Sequence, residues 1–219
     1  MVEYQKIPTL YTFDSKIKRF VNKIYDPLVD YLKGNEWLCS EKINGMNISV
    51  TYDGHRVSWN GRTEDSELPK EVENILRGTF EESEIIFEQM FGEKEVHLFM
   101  ECYGGKLQGG IYGGKERLVG FDVMVDGYYL DKMVIKDIFE KFGVACVHLT
   151  VVSHLSMAID MVKYWMEHNS VSQYCEDGKQ TMPEGLVCVP AARLYDHQGN
   201  RVIVKIKVRD LKKTIEVRE

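Results

Sequence analysis

Residues 41–47 read Glu-Lys-Ile-Asn-Gly-Met-Asn, a lysine set after the apolar pair Trp37-Leu38 and followed by an Asn-Gly turn signal. The residues beyond explain the turn. Asn47 to Asp53 alternates apolar and polar side chains, Asp53-Gly54 is a two-residue hairpin signal, and His55 to Asn60 alternates again. Lys42 is therefore expected directly ahead of a β-hairpin. A lone lysine in such a place is an ordinary surface residue unless the rest of the chain brings it partners.

Working outward, Asp14 to Leu32 places Ile17, Phe20, Val21, Ile24 and Leu28 at helical spacing, which predicts one or two short helices broken near Asp26-Pro27. Pro69 to Phe91 reads as an acidic amphipathic helical region with Gly78 as its break. Strands are expected at Val96 to Cys102 and Leu118 to Val125, the second closing through Asp126-Gly127. A helix over Asp131 to Phe142, a strand over Ala145 to Val152, and a helix opened by Ser153 as N-cap and reaching about His168 come next. Glu184 to Val189 and Val202 to Val208 are expected strands joined across His197 to Asn200. This order reads as α+β with mainly antiparallel sheets.

With 219 residues, 44% hydrophobic and 11% aromatic, the chain suffices for one sizeable core, and no repeat, low-complexity tract or linker divides it, so a single domain over 1–219 is expected. No apolar run approaches the roughly 18 to 20 residues of a membrane span, and the N-terminus lacks a signal-peptide core. These features predict a soluble, intracellular, cytoplasmic protein with no membrane partner. Five cysteines without a CxxC pair give neither a disulfide framework nor metal-ligand spacing. His148, His154 and His168 fall on separate elements and read as structural or exposed. The net charge of -6 argues against nonspecific coating of nucleic acid. Charge is unevenly spread, however: Glu64 to Glu101 holds 12 acidic and three basic residues, whereas Arg201 to Glu219 holds seven basic and three acidic. That basic end, with Arg201, Arg209, Lys212 and Lys213, is suited to phosphates.

Gly109 to Lys115 imitates a phosphate-binding GxxxxGK loop, but Glu116 stands where Ser or Thr is needed, and a strand rather than a helix follows. The expected strand ends are more informative. Lys42 precedes one hairpin, Glu101 ends HLFMEC, Phe121 and Asp122 lie in VGFDV, Glu184 opens EGLVCV, and Lys205 and Lys207 alternate in VIVKIKV. Residues i and i+2 of a strand share a face, so Lys205 and Lys207 project together from an apolar strand. This set suits chemistry on a nucleoside triphosphate. A lysine attacks phosphorus only as a neutral amine, and nearby cations and burial favour that form. The same cations stabilise charge growing on the phosphate. A carboxylate such as Glu184 or Glu101 suits a metal ion or a ribose hydroxyl, and Phe121 suits a base. Spacing alone leaves scattered charge on sheet edges as the alternative.

Glu41-Lys42-Ile43-Asn44-Gly45-Met46-Asn47 resembles the KxxGxN nucleotidyl-attachment motif of ATP-dependent RNA ligases of the phage RNA-repair and kinetoplastid RNA-editing branch. Further likenesses follow in order: Tyr4 to Ile7 at the start, Gly61-Arg62-Thr63 after the hairpin, Phe99 to Gly104, Gly120 to Val123, Glu184 to Val187, and Lys205-Ile-Lys207. The resemblance implies a nucleotidyltransferase (adenylation) domain of mainly antiparallel sheets flanked by helices, with a nucleotide cleft between them; because only 12 residues follow Lys207, no C-terminal accessory domain is expected, a departure from the family. It implies that Lys42 attacks the α-phosphate of ATP with Mg2+ or Mn2+, holds AMP as a phosphoramidate and passes it to an RNA 5'-phosphate, after which a 3'-hydroxyl seals the strand. By position, Glu101 contacts the ribose, Phe121 stacks on adenine, Glu184 binds the divalent metal, and Lys205 and Lys207 grip the α-phosphate. Glu41, Asn47 and Arg62 complete the nucleotide-binding set, the last two acting also on polynucleotide ends. The implied partner is RNA with 5'-phosphate and 3'-hydroxyl ends, alongside accessory RNA-binding or repair proteins, and a virus-encoded origin suits the phage likeness. Asn47 stands where DNA ligases and capping enzymes carry Arg; Asn44 departs from the His of a close phage relative. A DNA ligase, a capping-type nucleotidyltransferase and a degenerate module that binds ATP or RNA ends stay open as alternatives.

Overall fold

The computed structural model describes residues 2–63 and 66–215. Glu64, at the head of the acidic stretch, and residues 216–219 of the basic end lie outside them.

The chain begins with a correction. β1 (Tyr11–Asp14) and β2 (Arg19–Ile24) form an antiparallel hairpin where apolar spacing predicts helix. The Asp14 carboxylate accepts the N–H groups of Lys16 and Ile17, and Lys18 adopts a left-handed φ of 53°, so the chain reverses instead of coiling. Phe13 then faces Phe20 across the pair, with ring centroids 5.1 Å apart. Helix α1 (Pro27–Leu32) does start at the Asp-Pro step, where Asp26 accepts the Leu28 N–H at 2.8 Å and proline fills the first turn.

β3 (Trp37–Glu41) leads to Lys42, and β4 (Met46–Tyr52) and β5 (Val57–Asn60) form the expected hairpin, its turn held by Asp53 accepting from the His55 and Arg56 N–H groups. The acidic region makes two helices, α2 (Lys70–Phe80) and α3 (Glu84–Phe91). Gly78 lies inside α2; the break falls after Phe80, whose carbonyl accepts both the hydroxyl and the N–H of Ser83. β6 (Val96–Tyr103) and β7 (Arg117–Val125) match expectation, the turn at Asp126-Gly127 leads into a short further strand, β8 (Tyr128–Tyr129), and α4 (Ile135–Lys141) is shorter than predicted. The single strand predicted over 145–152 is two: β9 (Ala145–Cys146) runs parallel to β7, and β10 (Thr150–Val152) runs antiparallel to β3. Helix α5 (Leu155–His168) has His154 at its N-cap; Ser153 instead donates to the Met157 sulfur, and the first helical N–H is taken by the Lys33 carbonyl. β11 (Gly185–Pro190), β12 (Val204–Lys207), α6 (Val208–Leu211) and β13 (Thr214–Ile215) complete the order.

Contacts divide the chain into two compact units, each with its own core. One comprises residues 2–4, Asn44–Val147 and Cys175–Lys179. Its sheet runs β5-β4-β6-β7-β8, with β9 beside β7. Val72, Leu76 and Phe80 of α2 and Ile135, Ile138 and Phe139 of α4 pack on it with Ile48, Val50 and Leu98. Each such side chain contributes roughly 1.5–3 kcal/mol by leaving water. The other unit comprises Gln5–Ile43, His148–Tyr174 and residues 180–215. It holds the sheets β10-β3-β11-β12 and β1-β2-β13, with a core built from Trp37, Cys39, Leu155, Val162, Leu186 and Ile206. The motif at 41–47 is shared: Glu41 to Ile43 belong to the second unit and Asn44 to Asn47 to the first.

Candidate active site

Lys42 is fixed from behind by the sheet. β3 lies between β10 and β11, paired through Cys39↔Cys188, Ser40↔Val187 and Glu41↔Leu186, and the Lys42 N–H prolongs this ladder to the Gly185 carbonyl at 2.8 Å. The Lys42 Nζ donates to Glu184 Oε2 at 2.8 Å, while Lys207 Nζ reaches the other oxygen, Oε1, at 2.6 Å. Gly185 makes this possible. A Cβ there would lie 2.0 Å from the Ile206 carbonyl oxygen, so only glycine lets β11 start this close to β12 and set Glu184 between two lysines. Burial raises the Glu184 pKa, but the hydrogen bonds and charges of Lys207 and Lys42 outweigh it and hold the carboxyl below its ordinary value. Lys205 lies opposite Val187, two residues before Lys207 on β12. Burial lowers its pKa, and the nearby Lys207 and Lys42 charges lower it further. Two lysines thus share one carboxylate, with Lys205 beside them on the same sheet, an arrangement that can receive a phosphate.

Glu41 has a different task. Its carboxylate is buried and accepts from the Ser172 hydroxyl; burial raises its pKa, and hydrogen bonds from Ser172 and Gln173 offset part of that rise. It ties the segment after α5 to β3. Nothing in the sequence around Ser172 signals this contact.

In the other unit, Asn47 and Glu101 are directly paired across β4 and β6. Glu101 Oε1 accepts the Gly45 N–H at 2.9 Å, Tyr112 Oη accepts the Asn44 N–H at 2.9 Å, and Gln108 Nε2 donates to the Gly45 carbonyl at 3.0 Å. The turn after Lys42 is therefore held by three side chains. Sequence reasoning missed Gln108 and Tyr112, which lie in or beside the glycine-rich imitation of a phosphate loop; the aromatic residue among the glycines was the available signal. Phe121 owes its position to a β-bulge. Phe99 pairs with Asp122 and Met100 with Gly120, which leaves Phe121 as the extra residue on β7. Behind it, buried Asp122 accepts from the Tyr4 hydroxyl at 2.5 Å and pairs with Lys132 at 2.8 Å, and the Tyr4 ring meets Phe121 edge-on at 5.1 Å. Tyr4, Asp122 and Lys132 act as supports for Phe121. Arg62 is exposed, with Glu3 at 3.7 Å.

The basic end is only partly a surface. Arg201 is 6% exposed, and its backbone is fixed at both N–H and C=O by Gln5, so it does not belong to an outer phosphate-binding face. Arg209, Lys212 and Lys213 are exposed. Among the described residues no three His, Cys, Asp or Glu side chains form a metal-binding group.

Comparison with solved structures finds this α+β arrangement in RNA ligases of Naegleria gruberi. A lysine-to-alanine mutant with ATP and Mn aligns at 15% identity and a TM-score of 0.63, over 94% of this chain and 59% of that one. A lysine-to-methionine mutant with AMP and Mn gives 14% and 0.62, over 94% and 60%, and a form with PPi gives 16% and 0.62 over the same shares. The chain spans about 60% of the length of the solved ligases it matches. The shared fold is that of these RNA ligases. Residues 35–207 match the family model for RNA ligase, and the chain belongs to the RNA ligase family. No curated protein matches its sequence. Among the described residues no helix is long and apolar enough to cross a membrane.

Proposed function

We propose that this chain is an ATP-dependent RNA ligase that joins RNA 3'-hydroxyl and 5'-phosphate ends through an adenylated Lys42, its two units working as one catalytic domain. The convergence of Lys42 and Lys207 on Glu184, with Lys205 beside them, carries this reading. Lys42 attacks the α-phosphorus of ATP with its lone pair, forming the N–P bond as the bond to the pyrophosphate oxygen breaks. Attack requires Nζ without its third proton; the neutral amine keeps two N–H donors, so it can hold the Glu184 contact while its lone pair faces the phosphorus. Lys205 and Lys207 stabilise charge growing on the phosphate oxygens. The RNA 5'-phosphate then takes the AMP from Lys42, and a 3'-hydroxyl displaces it. The solved relatives are described with ATP, AMP, PPi and Mn, which matches the substrates and products of the first step.

In this reading Glu101 contacts the ribose, Phe121 stacks on adenine, and Asn47 and Arg62 act on the nucleotide and the RNA ends, while Glu41 works indirectly through Ser172. Glu184 is the carboxylate for Mg2+ or Mn2+. A single carboxylate fits an ion brought with the triphosphate rather than one caged by protein, and such an ion neutralises phosphate charge when bound. Arg209, Lys212 and Lys213 contact RNA. The setting proposed is the cytoplasm, with accessory repair proteins as partners.

The test is incubation with α-labelled ATP and a divalent ion, followed by denaturing electrophoresis. Wild-type protein is expected to carry label, and Lys42→Ala to carry none while keeping its melting temperature. Labelled Lys42→Ala protein would remove the nucleophile assignment, and an unlabelled wild type would leave a binding module.

A further inference from the structure

The β1–β2 hairpin and the C-terminal strand make one sheet, and that sheet gathers cations from both ends of the chain. From Tyr11 to Tyr25 the sequence carries Lys16, Lys18, Arg19 and Lys23 against one acid, Asp14, in a protein of net charge -6. All four cations are exposed. Thr214 of β13 pairs in parallel with Phe20 of β2, and Lys213 and Arg19 each stand one residue before that pair, so they come to the same end of the sheet. Many surface cations elsewhere are engaged by a carboxylate, as in Lys33–Asp30, Arg77–Glu81, Lys136–Glu140 and Lys163–Asp160. Among the described residues, Lys16, Lys18, Arg19, Lys23, Lys212 and Lys213 form no ion pair. Beside this charge lies an exposed ring: Phe13 is 51% exposed and meets Phe20 edge-on.

Both chain segments that enter this sheet come from the lysine strand. Thr9 bridges to Lys205, and the backbone continues directly into β1. Lys207 passes through α6 and the Lys212-Lys213 pair into β13. From Thr9 to Lys16 an extended chain covers at most about 23 Å at roughly 3.3 Å per residue. At about 3.4 Å per nucleotide along one strand, that equals some seven nucleotides.

We infer that the basic end of the β1-β2-β13 sheet, which carries Lys16, Lys18, Arg19, Lys213 and the exposed Phe13 ring, is a docking surface for RNA within about seven nucleotides of the joining site. This rests on the ligase reading and extends it to substrate capture. Unpaired cations meet the phosphodiester backbone, and the exposed ring stacks on an unpaired base, the combination by which single strands are held without sequence preference. The hairpin shape serves this use, because the turn in which Asp14 accepts the Lys16 and Ile17 N–H groups presents Lys16 and Lys18 to solvent.

The test titrates ATP-free protein into a fluorescently labelled single-stranded RNA carrying a 5'-phosphate, by anisotropy over a salt series. The variant Lys16→Ala/Lys18→Ala/Lys213→Ala is expected to weaken binding at least about tenfold and to flatten the log K against log salt slope by about two units, as loss of three phosphate contacts requires. Phe13→Ala is expected to weaken binding about tenfold with the slope unchanged. Lys70→Ala/Lys136→Ala/Lys141→Ala removes equal charge elsewhere and is expected to leave binding near wild type. Wild-type affinity and slope in the first variant, or an equal loss in the third, would overturn the proposal. Adenylation is followed in the same proteins: its absence in wild type refutes the ligase reading, while the RNA titration still judges the surface.

Discussion

Glu184 accepts from two ammonium groups, and its charge depends on both. Its folded pKa lies below the ordinary glutamate value of 4.5, since the lysine contacts outweigh burial. A carboxyl with a lowered folded pKa binds fewer protons folded than unfolded. The stability it contributes is therefore complete above 4.5 and lost as pH falls through the folded value. Glu184→Gln is expected to cost about 2 kcal/mol near neutral pH, because it leaves partly buried lysines without a counter-charge. The gap between wild type and variant should narrow as pH falls below 4.5. Urea unfolding across that range is the measurement, and a gap that stays constant would mean the carboxylate charge is not what the lysines stabilise. Glu41 has the opposite sign: its raised pKa makes ionisation unfavourable in the fold, so its contribution to stability falls as pH rises from 4.5 through its folded value.

At the scale of elements, strands close enough to set the site require glycine, and the helices do not. A Cβ on Gly45 would lie 2.3 Å from the Cys102 carbonyl oxygen and 2.9 Å from Glu101 Cγ, so Gly45→Ala must push β4 off β6 and break the Glu101 contact. A loss of about 2–4 kcal/mol is expected. Gly78, inside α2, has nothing within 4 Å of its missing Cβ, and Gly78→Ala should stabilise by about 1 kcal/mol through helix propensity alone. Thermal melts of the two variants should move in opposite directions; equal shifts would show that the close approach at Gly45 is relaxed in solution. The same scale explains Phe121. Strict alternation along VGFDV sets Phe121 and Asp122 on opposite faces, but the bulge decides which face each takes, and a bulge depends on the partner strand.

Across the whole molecule, thiol chemistry reports where the two cores lie. Cys39, Cys102 and Cys188 are buried, and Cys146 and Cys175 are half-buried. Burial, with Glu116 and Glu101 nearby, pushes the Cys102 thiol up to about 12, and burial pushes Cys146 up to about 11 despite Lys132. A thiol reagent at mildly alkaline pH is expected to modify Cys175 first and Cys146 slowly, and to reach all five only in denaturant. Peptide mass mapping reads the order, and early labelling of Cys39 or Cys188 would contradict the packed core of β3 and β11. The sequence by itself determined what neighbours along the chain can settle. The β4–β5 hairpin follows from alternation around Asp53-Gly54, β6 and β7 from apolar runs, and Lys205 and Lys207 share a face because the strand period is two. The order of charged strand ends named the residues that later prove to meet, Lys42, Glu184 and Lys207 among them. Tertiary structure decided the rest. Phe20 and Ile24 fit a helix or a strand equally well by spacing, and β2 is a strand because β1 and the distant β13 pair with it. Arg201 looks basic and free in sequence, yet Gln5 and the surrounding core bury it. Lys213 and Arg19 come to the same end of one sheet only because β13 pairs with the distant β2. Local pattern fixes which groups a segment can offer, but pairing partners and burial are set by residues far along the chain.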